Sequence, residues 1–333
     1  MLALDPDQPG LEGMRRAPVP GWTSPMLATL TRDTFSDEGW IYERKLDGER
    51  CLAFRDGDAV RLCSRNRQSL NETYPELVDA LEAQPCRRFV VDGEVVAFDG
   101  ALTSFSRLQG RLGIHHADEA RASGIAVYYY LFDILHLDGW DLTRVPLRRR
   151  KALLKQALRF DDPLRFTPHR NEMGERLLQS ACAKGWEGII AKRADAPYVH
   201  KRSRDWLKFK CSNGQELVIG GFTDPAGSRV GFGALLLGYY ENDALIYAGK
   251  VGTGFDTAEL ERLRGMLDEI ERGTPPFAGG DAPSEDGVHW VEPKLVAEVG
   301  FTEWTDDGRL RHPRYLGLRD DKPARAVVRE RPD

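Results

Sequence analysis

Short apolar runs bounded by polar and turn residues begin at Trp40, where the pattern becomes strand-like, and the first of them, residues 41–44, leads straight into Lys45. Residues 51–55 and 59–63 flank Asp56-Gly57-Asp58, which predicts a hairpin. Thr73-Tyr74-Pro75-Glu76 has the form of a capping box, with Leu77, Val78 and Leu81 on one face of the helix it would start. A strand over 89–98 containing Asp92-Gly93-Glu94 comes next, then a helix around 105–111 and a strongly β-prone run over 127–135. Leu153, Leu154 and Leu158 predict a helix after Pro146, and a second helix over 175–184 stops at Gly185.

Residues 187–192 and 206–210 read as two further strands. In the latter, Lys208 and Lys210 share one side and Leu207 and Phe209 the other. Two lysines side by side facing a core require an anion between them. Past Ser212-Asn213-Gly214, read as a linker, the pattern changes to short strands over 216–222, 234–240, 244–251, 288–291 and 295–301. One helix interrupts them, opened by Asp256 with Glu259 three residues on, and striped by Leu260, Leu263, Leu267 and Ile270. Residues 273–287 read as a long loop. Short strands with a single helix fit a small barrel of the oligonucleotide-binding type. The expected organisation is a flexible leader over 1–21, an α+β domain over 22–212 with antiparallel sheets and flanking helices, and a β-barrel over 213–333.

Composition narrows the class. With 41% hydrophobic and 30% charged residues, a chain of 333 residues can bury real cores. It lacks an 18-residue apolar run and a signal-peptide core, so neither a membrane partner nor export is expected. Five scattered cysteines without Cys-x-x-Cys spacing suit a reducing cytoplasm and argue against a zinc site or a disulfide framework. The net charge of −5 speaks against nucleic acid only until it is divided: residues 1–214 carry 33 basic against 30 acidic side chains, and residues 215–333 carry 14 against 22. Residues 192–210 concentrate seven basic residues against two acids. Charges segregated in this way permit a basic binding face.

The candidate chemistry centres on Lys45-Leu46-Asp47-Gly48, with Lys45 as a nucleophile that takes a nucleotide onto its nitrogen. Alone this pattern decides nothing, since Lys-x-Asp-Gly occurs by accident in roughly one chain of this length in ten. A free lysine titrates near ~10.4 and must lose its proton to attack. Neighbouring cations favour the neutral amine, and they also neutralise charge on the phosphate and the departing pyrophosphate. The reaction further needs a carboxylate for a metal ion, an acceptor for the ribose hydroxyls and an aromatic face for the base. Glu187, Glu94, Lys208, Lys210 and Phe132 are of the right types. Plainer readings stand beside these: Phe132 as strand core, Asp47-Gly48 as a turn, and residues 192–204 as a solvated basic face. Glu94 and Glu187 resist a plain reading, because an acid inside a run of Val or Ile is rarely buried unpaired.

Six collinear motifs then stand in order: Lys45-Leu46-Asp47-Gly48, Ser64-Arg65-Asn66, Asp92-Gly93-Glu94, Leu131-Phe132-Asp133, Glu187-Gly188-Ile189-Ile190 and Leu207-Lys208-Phe209-Lys210, followed by Arg319-Asp320-Asp321-Lys322. In these the chain resembles the covalent nucleotidyltransferase superfamily of ATP-dependent DNA ligases, RNA ligases and mRNA capping enzymes. The stretches 25–28, 42–48 and 311–323 resemble in particular the ligase module of bacterial ligase D, the end-joining ligase that works with Ku.

The resemblance implies a nucleotidyltransferase domain followed by an OB-fold barrel, and an ATP-dependent DNA ligase that seals 3′-OH/5′-phosphate breaks through a lysine-AMP intermediate. By the same resemblance Lys45 attacks ATP, Glu43 meets the adenine amino group, and Arg50 and Glu94 meet the ribose. Phe132 would stack on the base with Ile190 on its other side. Glu187 would bind Mg²⁺ or Mn²⁺ with Glu94 as second ligand, and Lys208 and Lys210 would hold phosphates. Arg65 would meet the 5′-phosphate of a nick, with Lys192, Arg193, Lys201, Arg202 and Arg204 on the DNA. Arg319, Asp321 and Lys322 would close over the pyrophosphate, with the barrel hinging near Asn213-Gly214. The implied setting is a monomer in the bacterial cytoplasm, at the nucleoid, acting on nicked or broken duplex DNA with a Ku homologue or a separate polymerase or nuclease. An RNA ligase, a GTP-using capping-type enzyme and a non-catalytic DNA-end-binding module are the alternatives.

Overall fold

The alternation along Glu49–Asp56 sends its side chains to two different cores: Cys51 and Ala53 to one, Leu52 and Phe54 to the other. That strand belongs to an eight-stranded sheet in the computed structural model, which describes residues 4–211, 213–227, 229–283, 286–319 and 322–331. The sheet runs in the order Arg15–Arg16, Trp140–Asp141, Val127–Leu137, Arg88–Asp99, Glu49–Asp56, Ala59–Ser64. Leu164–Phe166 adds in parallel to Val127–Leu137, and Leu102–Thr103 pairs back on Arg88–Asp99. A second sheet of five strands runs His169–Asn171, Trp40–Arg44, Gly188–Arg193, Arg202–Lys210, Leu27–Leu30.

Three apolar layers follow from this. Behind the first sheet, Leu77, Leu81, Phe105, Leu108, Leu153 and Leu154 from the helices pack on Ala53, Val91, Val95 and Ile134. Between the sheets lie Met26, Leu52, Phe54, Val90, Phe132, Leu135, Tyr198 and Trp206. Behind the second sheet, Tyr42, Ile189, Leu207 and Phe209 pack against Ala181, Leu177 and Leu178. Two β-bulges serve the middle layer. Asp92 faces Asp133 while Gly93 faces Leu131, so Phe132 is an extra residue in its strand; Val90 faces His136 while Val91 faces Ile134, so Leu135 is another. A bulge re-aims a side chain, and here both extra residues reach the same inter-sheet layer.

The described residues divide into two compact units, one ending at Cys211 and the other at Arg331. In the second unit the strand Asn213–Thr223 pairs with Leu235–Glu241 on one side and with both Val296–Phe301 and Val288–Val291 on the other. The sheet continues through Ala244–Val251 and Arg314–Leu318, and the helix Thr257–Asp268 is capped by Asp256, whose carboxylate accepts from the Glu259 amide at 2.8 Å. This is the antiparallel barrel plan with one helix.

Several expectations need correcting. The leader is anchored: Leu11 and Met14 are buried in the first core, and Arg15–Arg16 pairs with Trp140–Asp141. Two apolar anchors in a Pro- and Gly-rich stretch leave no period to detect. Asn213 and Gly214 are not linker but the first rungs of a strand, opposite Phe301 and Gly300. The capping box does not form: Thr73 donates to Ile114 O, Glu76 takes the buried Arg111 guanidinium at 2.8 and 2.9 Å, and Pro75 opens the helix. Cys182 and Cys211 form a disulfide, which the scattered cysteines argued against. It ties the end of the helix Gly174–Ala183 to the residue after Lys210. No described helix is long and apolar enough to cross a membrane.

Asp133 and Arg150 are both fully buried and joined by two hydrogen bonds, Nε to Oδ1 at 2.7 Å and Nη2 to Oδ2 at 2.9 Å. Removing one partner strands the other charge in a medium that cannot solvate it. R150M is therefore expected to cost about 3–5 kcal/mol in denaturant unfolding, while R150M combined with D133L costs far less. Equal losses in the two variants would contradict the pair as drawn.

Candidate active site

Lys45 leaves the end of the Trp40–Arg44 strand, and its amide still donates to Gly188 O at 3.0 Å. The turn behind it is fixed from two directions. The Asp47 carboxylate accepts from the Phe105 amide at 3.1 Å, and a Cβ on Gly48 would stand 2.1 Å from Val95 O. The backbone is thus pressed onto the neighbouring strand, where only glycine fits. Across the sheet, Arg44 faces Ile189 and Glu43 faces Ile190, so the strand after Glu187 lies beside the strand that delivers Lys45.

The Lys45 ammonium is ion-paired to the Glu187 carboxylate. Burial opposes its charge, but Glu187, with Asp47 and Glu94 behind it, holds the amine above the usual lysine range. Burial likewise works against the Glu187 charge, and Lys45, Lys210 and Lys208 overcome it, keeping that carboxyl below its ordinary range. Among the protein's own side chains, then, the charge that acts most directly on Lys45 is an acid and not a cation. The cations act on Glu187, and Glu187 acts on Lys45.

Glu43, two residues before Lys45, is 2% exposed and carries a cation on each oxygen: Lys151 at 2.5 Å and Lys192 at 2.6 Å. Burial raises its carboxyl, but the two lysines outweigh burial and bring it below the usual value. Burial, with help from Lys151, draws Lys192 down to about 8 against the pull of Glu43. Phe132 stands in the same group, edge-on to Trp206 at 5.9 Å, with the Lys192 Nζ 4.0 Å and the Arg50 guanidinium 4.7 Å from its ring centre. Arg50 forks onto the buried Asp92, Nε to Oδ1 at 2.5 Å and Nη2 to Oδ2 at 2.6 Å. The Tyr198 hydroxyl donates to Asp92 Oδ2 at 2.6 Å and accepts from the Met26 amide at 2.8 Å. Glu94 lies directly opposite Arg50 on the paired strand.

The structure thus brings together Lys45, Glu187, Glu94, Arg50, Glu43 and Phe132. Ile190 faces both Glu43 and Lys208 across its two strand pairs, and Lys208 and Lys210 sit half-buried on the side opposite Leu207 and Phe209. Lys192 is not on a basic face: it is 2% exposed, because its strand turns it inward onto Glu43. Arg193, Lys201, Arg202 and Arg204 are exposed, with Arg193 paired to Asp205 at 3.1 Å and Arg202 donating to Ala28 O. Arg65 is half-buried in the turn after Ala59–Ser64. Arg319 and Lys322 belong to the second unit, where the Lys322 ammonium meets Glu216 at 3.0 Å; Asp321 lies outside the described residues. Sequence reasoning missed Lys151, Tyr198 and Trp206, and it quoted Asp92 in the Asp92-Gly93-Glu94 motif without giving it a part. Lys151 had a visible signal, a lysine between Leu147 and Leu154 on the apolar stripe of its helix.

Among the described residues no cluster of three or more His, Cys, Asp or Glu forms a metal cage. Tyr198→Phe removes one donor to a buried carboxylate and one acceptor from a buried amide. A loss of about 1–3 kcal/mol is expected in denaturant titration; a midpoint unchanged from the parent chain would refute the buried network.

A family model described as "ATP dependent DNA ligase domain" matches residues 25–210, and one described as "ATP dependent DNA ligase C terminal region" matches residues 228–322. The multifunctional non-homologous end joining protein LigD of Pseudomonas aeruginosa is 41% identical over 324 residues, which is 95% of this chain and 38% of that protein. The LigD of Mycobacterium tuberculosis is 38% identical over 315 residues, 92% of this chain and 40% of that one. The chain therefore spans well under half the length of these relatives. The solved structure of a mycobacterial DNA ligase D complexed with ATP and MES superposes with a TM-score of 0.67 at 36% identity, covering 92% of this chain and 98% of that one.

Proposed function

The chain belongs to the ATP-dependent DNA ligase family, and from that premise we propose that it seals 3′-OH/5′-phosphate breaks in duplex DNA through a covalent AMP on Lys45. The observation that carries this is the placement of Lys45 at a strand end, on the Glu187 carboxylate, with Lys208 and Lys210 lowering the same carboxyl. In the first step the Lys45 ammonium releases its proton to solvent, its nitrogen attacks the α-phosphorus of ATP, a P–N bond forms, the bond from the α-phosphorus to the bridging oxygen breaks and pyrophosphate leaves. AMP then passes to the 5′-phosphate of the break, and the 3′-hydroxyl displaces it.

Each residue has a part it can perform in place. Lys208 and Lys210 supply charge to phosphate oxygens that become more negative as the leaving group departs. Arg50, clamped by Asp92, and Glu94 beside it offer a donor and an acceptor to the ribose. Phe132 and Ile190 flank the base. Two carboxylates, Glu187 and Glu94, suit a Mg²⁺ or Mn²⁺ that takes one or two protein oxygens and leaves its other positions to water and substrate phosphates. Such an ion, when bound, would neutralise the triphosphate. Arg65 and the exposed Arg193, Lys201, Arg202 and Arg204 carry the contact with DNA phosphates, and Arg319 and Lys322 assist pyrophosphate departure in the first step. The resemblance to LigD extends the proposal to the joining of broken ends, with a Ku homologue as partner.

Incubation with α-labelled ATP is expected to label the chain and Lys45→Ala to abolish the label, with GTP a poor donor. A persisting label on Lys45→Ala would end the proposal. Arg319→Ala is expected to slow self-adenylation far more than sealing of a nick already carrying AMP, as read by gel shift of the joined strand. Equal slowing of both would remove Arg319 from the first step.

A further inference from the structure

The two ends of the disulfide between Cys182 and Cys211 bracket the acid that holds Lys45. Cys182 lies in the last turn of the helix Gly174–Ala183, five residues before Glu187. Cys211 directly follows Lys210, and its amide donates to Glu187 O at 3.0 Å. A small ring results. It runs from Cys182 through residues 183–186 to Glu187, crosses the hydrogen bond to Cys211 and closes through the two sulfurs.

Glu187 is therefore held from two sides. On the far side the strand ladder begins, with Gly188 opposite Lys210. On the near side residues 182–185 are exposed, and their turn is tied by the Gly185 amide on Cys182 O at 3.1 Å and the Trp186 amide on Ala181 O at 2.9 Å. Exposed hydrogen bonds at a helix end open readily, whereas the sulfur bridge does not. Small domains without a core need such a bridge in order to fold. This unit has three apolar layers, so folding does not call for one. The bridge is also within reach of solvent thiols, since Cys182 is exposed and Cys211 half-buried. Exposed disulfides exchange with such thiols far more easily than enclosed ones.

We propose that Cys182 and Cys211 form a reversible thiol–disulfide switch that sets how firmly Glu187 is presented to Lys45, with self-adenylation faster in the oxidised chain than in the reduced one. The oxidant is a low-molecular-weight disulfide. The Cys182 thiol gives up its proton, and the thiolate attacks one sulfur of that molecule and expels a thiolate. Cys211, also deprotonated, attacks the Cys182 sulfur of the mixed disulfide and expels the second. The chain loses two electrons and two protons, and the small disulfide becomes two thiols. Excess thiol reverses the sequence. Without the bridge, residues 182–187 keep only their hydrogen bonds, and the Glu187 carboxylate moves away from Lys45 for part of the time. Both cysteines are positioning residues, because they act through Glu187. The proposal rests on the reading of Lys45 as the residue that takes AMP.

The test equilibrates the full chain at a series of ratios of glutathione to glutathione disulfide. At each ratio the Cys182–Cys211 bridge is quantified by alkylation and peptide mass, and self-adenylation by ATP is timed by pyrophosphate release. The rate is expected to follow the bridged fraction, falling roughly tenfold on reduction and returning on reoxidation, as a small misplacement of a reacting group would produce. Cys182→Ser and Cys211→Ser should hold the reduced rate at every ratio. A merely structural bridge would lower the unfolding temperature on reduction and leave the rate below that temperature unchanged. Two results overturn the proposal: a bridged fraction that stays constant across the series, or a rate that stays constant while the bridged fraction changes. The parent titration decides alone if the serine variants do not fold. A chain that ATP adenylates at no ratio would overturn the function proposed for Lys45 and this switch with it, an outcome distinct from a chain that is adenylated regardless of ratio.

Discussion

A carboxylate shut away from water must find cations, and Glu43 finds two. Its pairing with Lys151 and Lys192 joins three elements that are distant in sequence: the strand that delivers Lys45, the helix Leu147–Ala157 and the strand Gly188–Arg193. Asp92 and Asp133 repeat the arrangement with Arg50 and Arg150. Such pairs are poor sources of net stability but severe penalties for any misplacement, because each partner stranded alone is far worse than the pair. These buried charges are neutralised only when the elements that carry their partners lie side by side. That geometric demand, together with apolar packing on both outer faces, sets where Lys45 stands.

Much of this was legible in the residues. The alternation around 206–210 correctly places Leu207 and Phe209 inward and the two lysines on the other side, since strand parity is enforced by the pleat. Parity fails where the pleat is interrupted. Phe132 and Leu135 are three apart and share a layer because each is the extra residue of a bulge, which no period of two can announce. Lys192 misled for a related reason. Its neighbours 193, 201, 202 and 204 are exposed cations, so composition grouped it with them, although its own strand turns it onto Glu43.

Charge effects were less legible than positions. Lys45 was expected to be eased toward its neutral form by Lys208 and Lys210, yet the nearest charge to it is Glu187, and proximity decides. A sequence lists the ionisable groups around a site without ranking their distances. The disulfide Cys182–Cys211 went unseen on similar grounds: a separation of 29 residues carries no signature, and only the folding of the helix end against the strand end brings the sulfurs together.

Gly48 bears on how the signature around Lys45 should be read in other chains. Its α-carbon lies so close to the neighbouring strand that a first side-chain carbon would meet Val95 O at 2.1 Å, whatever happens at the lysine. The glycine is thus a requirement of strand spacing, inherited with the architecture. A descendant that had abandoned nucleotide transfer and exchanged its lysine would be under the same pressure to retain Gly48. The two ends of the motif testify to different things, the lysine to chemistry and the glycine to the closeness of two strands, and only the first can date the loss of activity in a lineage.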